Sequence, residues 1–348
     1  MVWVKGELLT SLDAANLDPT DQLTRDGQSS LFDRIDWVRR VLRHSRSTKT
    51  PLIARAASDG ALAWLFLKCD DNDQFKALAN WYSFAYRPIF ASNPDDSRKL
   101  LMLTAIAKRL RKMRSAPASI SLSPVPRGDG SSDLLSRAFK RSGWFVFSTQ
   151  VSTSWTAHVS GLSFEDYWAA RPGQLRSTYK RKNGKVDFDV TIYDQFDEAA
   201  WEEFEAVYAD SWKPEEGSPA FLRETAVFEG AAGCLRLGIC RLEGIAVAAQ
   251  YWTVERGTAY IHKLAHRESA RELSPGTLLS YALFQHVIDQ DAVDAIDFGT
   301  GDDPYKADWM DARAPLDRID AYNPRRVSGL IGAAHAFISA LVARVRGR

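Results

Sequence analysis

Apolar residues recur along this chain with two periods, and the switches between them outline its elements. Within 29–45, Leu31, Ile35, Val38 and Leu42 fall at helical spacing. Residues 51–71 read as two strands joined at Asp59-Gly60, a pair suited to a tight hairpin. Residues 95–113 return to a helical period, 118–125 form a short strand, 131–144 a helix that begins on serine, and 145–159 an alternating strand.

The same order returns downstream. Residues 234–266 predict three strands, with turns at Glu243-Gly244 and Arg256-Gly257. A helix over 274–290, a strand over 295–299, a short helix over 303–310 and a strand over 315–323 follow. Each half therefore runs hairpin strands, helix, strand, helix, strand, which predicts an α/β (α+β) chain of two related folds in tandem. Between the halves, 163–186 reads as a helix interrupted at Pro172-Gly173 and resumed as a basic helix, with Ser163 and Asp166 in capping-box positions. The expected division is an extension over 1–27, a first half over 28–160, a second half over 161–325 and a last apolar helix over 326–348.

Composition narrows the classes. With 348 residues, 45% of them hydrophobic and 26% charged, the chain has ample material for two cores. The 45 basic side chains face 44 acidic ones, for a net charge of +1, which argues against DNA as a partner. Cys69, Cys234 and Cys240 are odd in number and lack metal spacing, so neither a disulfide framework nor a metal site is expected, and a cytoplasmic setting is. The early acids and broken apolar pattern of the first residues do not fit a secretory signal. Residues 327–343 are apolar but fall short of a membrane span and are flanked by Arg325, Arg326 and the tail RVRGR. A helix docked on the body is the expectation there, with contact to a membrane surface as the alternative.

Three stretches carry candidate chemistry. In ELSPGTLL, Ser274 suits an N-cap, Pro275 the first helical position, and Gly276 leaves the next N–H unshielded before Thr277. Such a start suits a pyrophosphate, although a plain capped helix explains it as well. In DFGTGDDPYKADW, two glycines follow a strand, Asp303 suits the N-cap, and Tyr305 and Lys306 fall in the first turn. A lysine beside a positive helix start is unfavourable unless an anion compensates, so either a ligand or a pairing with Asp302 or Asp303 is expected. No Gly-rich loop accompanies the DFG trio, which excludes a kinase. The third stretch, RPGQLRSTYKRKNGK, places Arg176 and Lys180 four apart with Arg181 beside them, a basic stripe for phosphates or an anionic glycan, or else a solvated face. His262 and His266, an even interval apart in a strand, are expected to share a face without a third metal ligand.

Taken in order, SFEDYWAARPGQLRSTYKRK, LSPGTLL and DFGTGDDPYKADW resemble the FemAB-related, CelD-like acyltransferases of the GNAT superfamily, which include the BioF2-like acetyltransferase domains. The resemblance covers about 30–325. It implies tandem GNAT-like folds, with mixed, mostly antiparallel central sheets flanked by helices and the active site mainly in the second half. It further implies an acyl-CoA such as acetyl-CoA as co-substrate, held at Ser274, Pro275, Gly276 and Thr277, and no metal. The acceptor would be an amine, an amino sugar or nucleotide sugar of surface polysaccharide synthesis.

In this reading Lys306 and Tyr305 stabilise charge or place the acceptor, Asp303 and Asp302 are weaker base candidates, and Arg176, Lys180, Arg181, Gln250 and His262 meet substrate. Two alternatives remain open. One is a FemAB-type peptidyltransferase fed by aminoacyl-tRNA, disfavoured by near-neutral charge and the lack of a helical-hairpin arm. The other is a non-catalytic polysaccharide-assembly protein with this fold.

Overall fold

The computed structural model describes residues 4–12, 17–19, 21–45, 49–70 and 74–345. The chain divides into two units, Met1–Thr153 with Ala314–Arg348, and Ser154–Arg313. In the first, β1 (Lys5–Leu9), β2 (Leu52–Ser58), β3 (Ala61–Cys69) and β4 (Phe75–Ala77) run antiparallel in chain order, with α1 (Ile35–Arg43) between β1 and β2 in sequence. Asp59 and Gly60 turn the β2–β3 hairpin at φ of 44° and 82°, as the sequence predicts. A two-residue β5 (Ile89–Phe90) pairs with β3. Helix α2 (Asp96–Lys112) then leads to β6 (Ser119–Pro126), which lies parallel to β4. Leu103, Ile106 and Leu110 of α2 pack into a core with Leu65, Leu67 and Ile120. The helix α3 (Ser131–Arg141) and strand β7 (Phe145–His158) follow.

The second unit repeats this plan. After α4 (Phe164–Ala169) and α5 (Gly173–Lys182), the strands β8 (Phe188–Tyr193), β9 (Leu235–Leu242), β10 (Ile245–Glu255) and β11 (Thr258–His266) are antiparallel in order. Two helices, α6 (Glu198–Ala209) and α7 (Pro219–Ala231), lie between β8 and β9 in sequence. Helix α8 (Pro275–Asp289) leads to β12 (Ala295–Thr300), parallel to β11, and then to α9 (Lys306–Trp309). Gly238 of β9 lets α8 approach closely: a Cβ there would lie 2.9 Å from the Leu279 and Leu283 methyl carbons. The opposite face carries Tyr251, packed edge-on against Trp201 of α6.

Each sheet takes its next strand from the other half of the sequence. The end of β7 pairs with β12, His158 opposite Ala295, and β13 (Ala312–Tyr322) pairs with β6, Tyr322 opposite Ser119. Asp317 of β13 explains the second choice. Its buried carboxylate accepts from Arg127 at 2.5 Å and from Ser132 Oγ at 2.6 Å, both supplied by the first unit. The folded units change over at 153 and 313 along the chain, beside the sequence-based divisions at 160 and 325.

The last helix, α10 (Val327–Val345), also departs from expectation. Near its start it packs through small residues, with Gly329 against Asn323 and Ala118 and Gly332 against Tyr322. Residues 346–348 of the basic tail lie outside the described residues. No helix among the described residues is long and apolar enough to cross a membrane.

Candidate active site

A wedge opens in the second unit where its two parallel strands part. β11 and β12 pair only from Thr258↔Ala295 to Tyr260↔Asp297, although β11 continues to His266 and β12 to Thr300. The end of β11 leads through a short 3-10 turn, Glu268–Leu273, into the start of α8, while the end of β12 leads to α9. Two of the three sequence stretches singled out for chemistry, those around Gly276 and Lys306, therefore border one opening.

At the α8 start the expected cap fails. Ser274 adopts the left-handed region, φ 57° and ψ 42°, and its side chain makes no cap hydrogen bond. Its carbonyl instead accepts from the N–H groups of Thr277 and Leu278, at 3.1 and 3.3 Å. Pro275 does take the first helical position. A Cβ on Gly276 would meet His266 Cδ2 at 3.4 Å, so the strand end lies directly over the helix start.

Lys306 is buried, and the helix it begins is four residues long, with no dipole to speak of. Its side chain curls back to β12. Nζ donates to the carbonyls of Phe298 at 3.2 Å and Thr300 at 2.7 Å, both past the last residue paired to β11. Asp303 Oδ2 lies 3.9 Å away. Burial holds the ammonium below its ordinary pKa, with Asp303 pulling the other way. The expected N-cap at Asp303 shifts accordingly: the Asp303 carbonyl receives the Lys306 N–H, and Tyr305 takes the N-cap position without a side-chain cap hydrogen bond. Tyr305 packs edge-on against Phe298, and burial, then Asp303, raises its phenol pKa. Asp302 is tied to Arg313, which leaves Asp303 as the carboxylate facing the lysine.

The sequence reading missed the loop over 210–218, which follows α6. Trp212 packs on His266 with centroids 4.3 Å apart and the rings tilted by 39°. Lys213 lies 5.1 Å from the Trp212 ring and 5.8 Å from the Tyr305 ring, and so reaches the α9 side. Burial lowers its pKa, Asp303 raises it and Lys263 lowers it again. The loop thus touches both flanks of the wedge. On its other side lies a cavity of about 470 Å³, walled by Trp201, Phe204 and Tyr208 and rimmed by Lys213, Glu215 and Glu216. An aromatic, a cation and two acids between prolines (SWKPEEGSP) were the signal to look for.

Two expected substrate residues are corrected. Gln250 is buried and fully engaged: its amide donates to Ser280 Oγ at 2.8 Å and to the Gly276 carbonyl at 3.3 Å, and it accepts from Trp252 Nε1 at 2.9 Å. It holds the start of α8. His262 and His266 do not share a face. Tyr251 pairs with Lys263 but Trp252 with Ile261, so His262 is the extra residue of a β-bulge. It turns to the α6 side, stacked on Tyr251 at 4.9 Å with Nε2 2.8 Å from Thr253 Oγ1.

Burial, with Lys263 adding to it, pushes the His262 imidazole from 6.5 down to about 3. Between those values the unfolded chain binds more protons than the folded one, so His262 makes stability rise with pH across that window. The drop in Tm on acidification from about pH 7 to about pH 4 should therefore be smaller in His262→Phe than in the wild type. Equal slopes would place that titration elsewhere.

The basic stripe stands beside the α8 start. Tyr179 of α5 stacks on Tyr281 of α8 with centroids 3.8 Å apart, and Lys182 Nζ donates to the Glu272 carbonyl just before Ser274. Arg176, Lys180 and Arg181 are exposed, and Arg176 Nε donates to the Arg171 carbonyl at 3.1 Å. Arg171 itself is buried and structural. It donates to the carbonyls of Trp309 and Tyr167, pairs with Asp311 and lies over the Tyr167 ring, holding α9 to α4.

The first unit differs at the matching helix start. Its helix α2, in the position of α8, begins on Asp95 and Asp96, whose negative charge opposes a phosphate.

Residues 173–307 match the family model described as Acetyltransferase (GNAT) domain. The fold is similar to that of FemX, with a TM-score of 0.61 and 12% identity over 90% of this chain and 96% of that one. A tandem GNAT protein from the clavulanic acid biosynthesis pathway gives 0.51 and 10%, over 91% and 98%. L-PGS from Bacillus licheniformis gives 0.50 and 13%, over 82% and 86%. No curated protein matches by sequence. Residues 173–307 thus match the model of a GNAT acetyltransferase domain, and the tandem, mostly antiparallel fold of the chain is similar to the folds of FemX and of the tandem GNAT protein.

Proposed function

We propose that the second unit transfers an acyl group from an acyl-CoA to an amine. The observation that carries this reading is the parting of β11 and β12 after Tyr260 and Asp297, directly ahead of the α8 start. A strand edge without a neighbour offers backbone hydrogen bonds to an extended amide-bearing chain such as pantetheine. The Gly276 N–H, unshielded by a side chain, then meets the pyrophosphate, and the exposed Lys180 and Arg181 of neighbouring α5 add positive charge. Acetyl-CoA is the simplest such donor.

The amine enters from the cavity beneath the 210–218 loop. Aromatic faces at Trp201, Phe204 and Tyr208 suit the apolar face of a sugar ring, and Glu215 with Glu205 suits an ammonium or hydroxyls. An amino sugar or nucleotide sugar fits that lining. The neutral amine attacks the thioester carbonyl carbon, the C–S bond breaks, and the proton lost by nitrogen leaves with the CoA thiol through Asp303 or water. Lys306, already aimed at carbonyl oxygens, is placed to stabilise the developing oxyanion.

Gly276→Asp tests the donor site. A carboxylate at the helix start should weaken acetyl-CoA binding at least tenfold, on the order of 1.4 kcal/mol, in calorimetry on folded protein. Unchanged affinity would remove this site. Tight, strongly salt-dependent binding of tRNA in place of acetyl-CoA would instead favour an aminoacyl donor.

A further inference from the structure

The helix α10 is built with its sidedness reversed. Its small residues face the protein: a Cβ on Gly329 would lie 2.2 Å from the Asn323 carbonyl oxygen, and one on Gly332 would lie 2.6 Å from the Tyr322 ring. Ala333 is buried beside them. Its large apolar residues face outward. Leu330, Ile331, Phe337, Ile338 and Leu341 are all exposed, Phe337 at 63% and Ile338 at 57%. Their spacing, with Ala334 between, repeats every three to four residues, so they form one stripe along the helix. A globular helix normally buries such a stripe, and a contiguous exposed one marks a contact surface.

Charge decides what covers it. From Pro324 to the last residue the sequence holds Arg325, Arg326, Arg344, Arg346 and Arg348 and no acidic residue. In the sequence these arginines flank the stripe on both sides, so two copies of this helix would oppose cation to cation in either orientation. An anionic surface meets both features at once. The helix does not qualify as a span, and an apolar face with flanking arginines is the pattern of a helix lying in the membrane interface. We propose that α10 rests on anionic phospholipid, its stripe among the acyl chains and its arginines at the headgroups. This inference is independent of the acyl-transfer reading, since it concerns the first unit and needs no donor or acceptor.

Flotation of the full-length protein with vesicles tests it. Partition into phosphatidylcholine and phosphatidylglycerol in equal parts should exceed that into pure phosphatidylcholine by about tenfold or more, and should weaken with salt. The double variant Phe337→Glu, Ile338→Glu should lose partition at unchanged Tm, because neither side chain is in the core. Arg325→Gln with Arg326→Gln should lose the preference for anionic vesicles by about tenfold. Wild-type protein that stays off both vesicle types overturns the proposal. So does a dimer in sedimentation that F337E/I338E dissolves, which would make the stripe an interface between copies.

Discussion

Lys306→Met is expected to slow acyl transfer about a hundredfold, the loss seen when one oxyanion donor is removed, and also to lower Tm. Methionine keeps the apolar stem and deletes the ammonium. The rate effect follows from Nζ lying where β12 has left β11, 2.7 and 3.2 Å from the carbonyls of Thr300 and Phe298. The stability effect follows from those same carbonyls. Without the lysine they lose a charged donor inside the protein, at about 1–3 kcal/mol each, partly offset by relief of the burial that lowers the lysine pKa. A net cost of about 2 kcal/mol corresponds to a Tm drop of about 4–8 °C for a unit of this size.

A lysine opposed to a helix dipole would give the opposite sign, since its removal would leave stability equal or higher. The four-residue helix and the two carbonyls reverse that expectation. Thiol release from acetyl-CoA and thermal melting, measured on one preparation, separate the roles. Near-normal turnover with a lower Tm would make Lys306 purely structural.

The largest loss of stability is expected at Arg171. Its guanidinium donates to Trp309 O at 3.1 Å and Tyr167 O at 3.3 Å, pairs with Asp311 and covers the Tyr167 ring at 4.5 Å. Arg171→Leu removes all four interactions from a buried position. Breaking a buried ion pair costs about 3–5 kcal/mol; because Asp311 is 40% exposed and can be rehydrated, the low end of that range is expected. Tm should fall by about 6–12 °C. Tyr167 OH still donates to Trp309 O at 2.6 Å, so α9 should loosen rather than detach. Turnover should therefore fall with KM for donor nearly unchanged, as for a positioning residue. Arg171→Lys keeps the charge but not the planar fork and should recover only part of the loss. A Tm within about one degree of wild type would show that α9 is held by aromatic packing alone.

Much of the site was readable before folding is considered. Ser163 does cap α4, accepting from the Asp166 N–H as the capping-box positions predict. Pro172 and Gly173 do break the helix, and the turns at Glu243-Gly244 and Arg256-Gly257 do close hairpins, with positive φ at all four residues. The stretches around Gly276 and Lys306 do border one opening. In each case a few neighbouring residues decide the outcome, because cap, turn and period are local.

What failed was non-local. The parity of the two histidines depends on a bulge, which is a mismatch between β10 and β11 and leaves no mark in either strand alone. Ser274 cannot cap because the 3-10 turn before it delivers the chain in a left-handed conformation. Helix α6 spreads its buried Trp201, Phe204 and Val207 among glutamates, too thinly for its period to stand out, yet with the loop that follows it walls the cavity. The order of elements, the tandem plan and the two segments that border the opening were legible in the chain alone, since these rest on local backbone preference and hydrophobic period. Which unit receives β13, which way His262 turns, that strand carbonyls satisfy Lys306 and that α10 turns its large apolar residues outward were fixed by long-range pairing. Each of those depends on a partner distant in sequence, and the free energy of such a pairing exists only once both sides are in place.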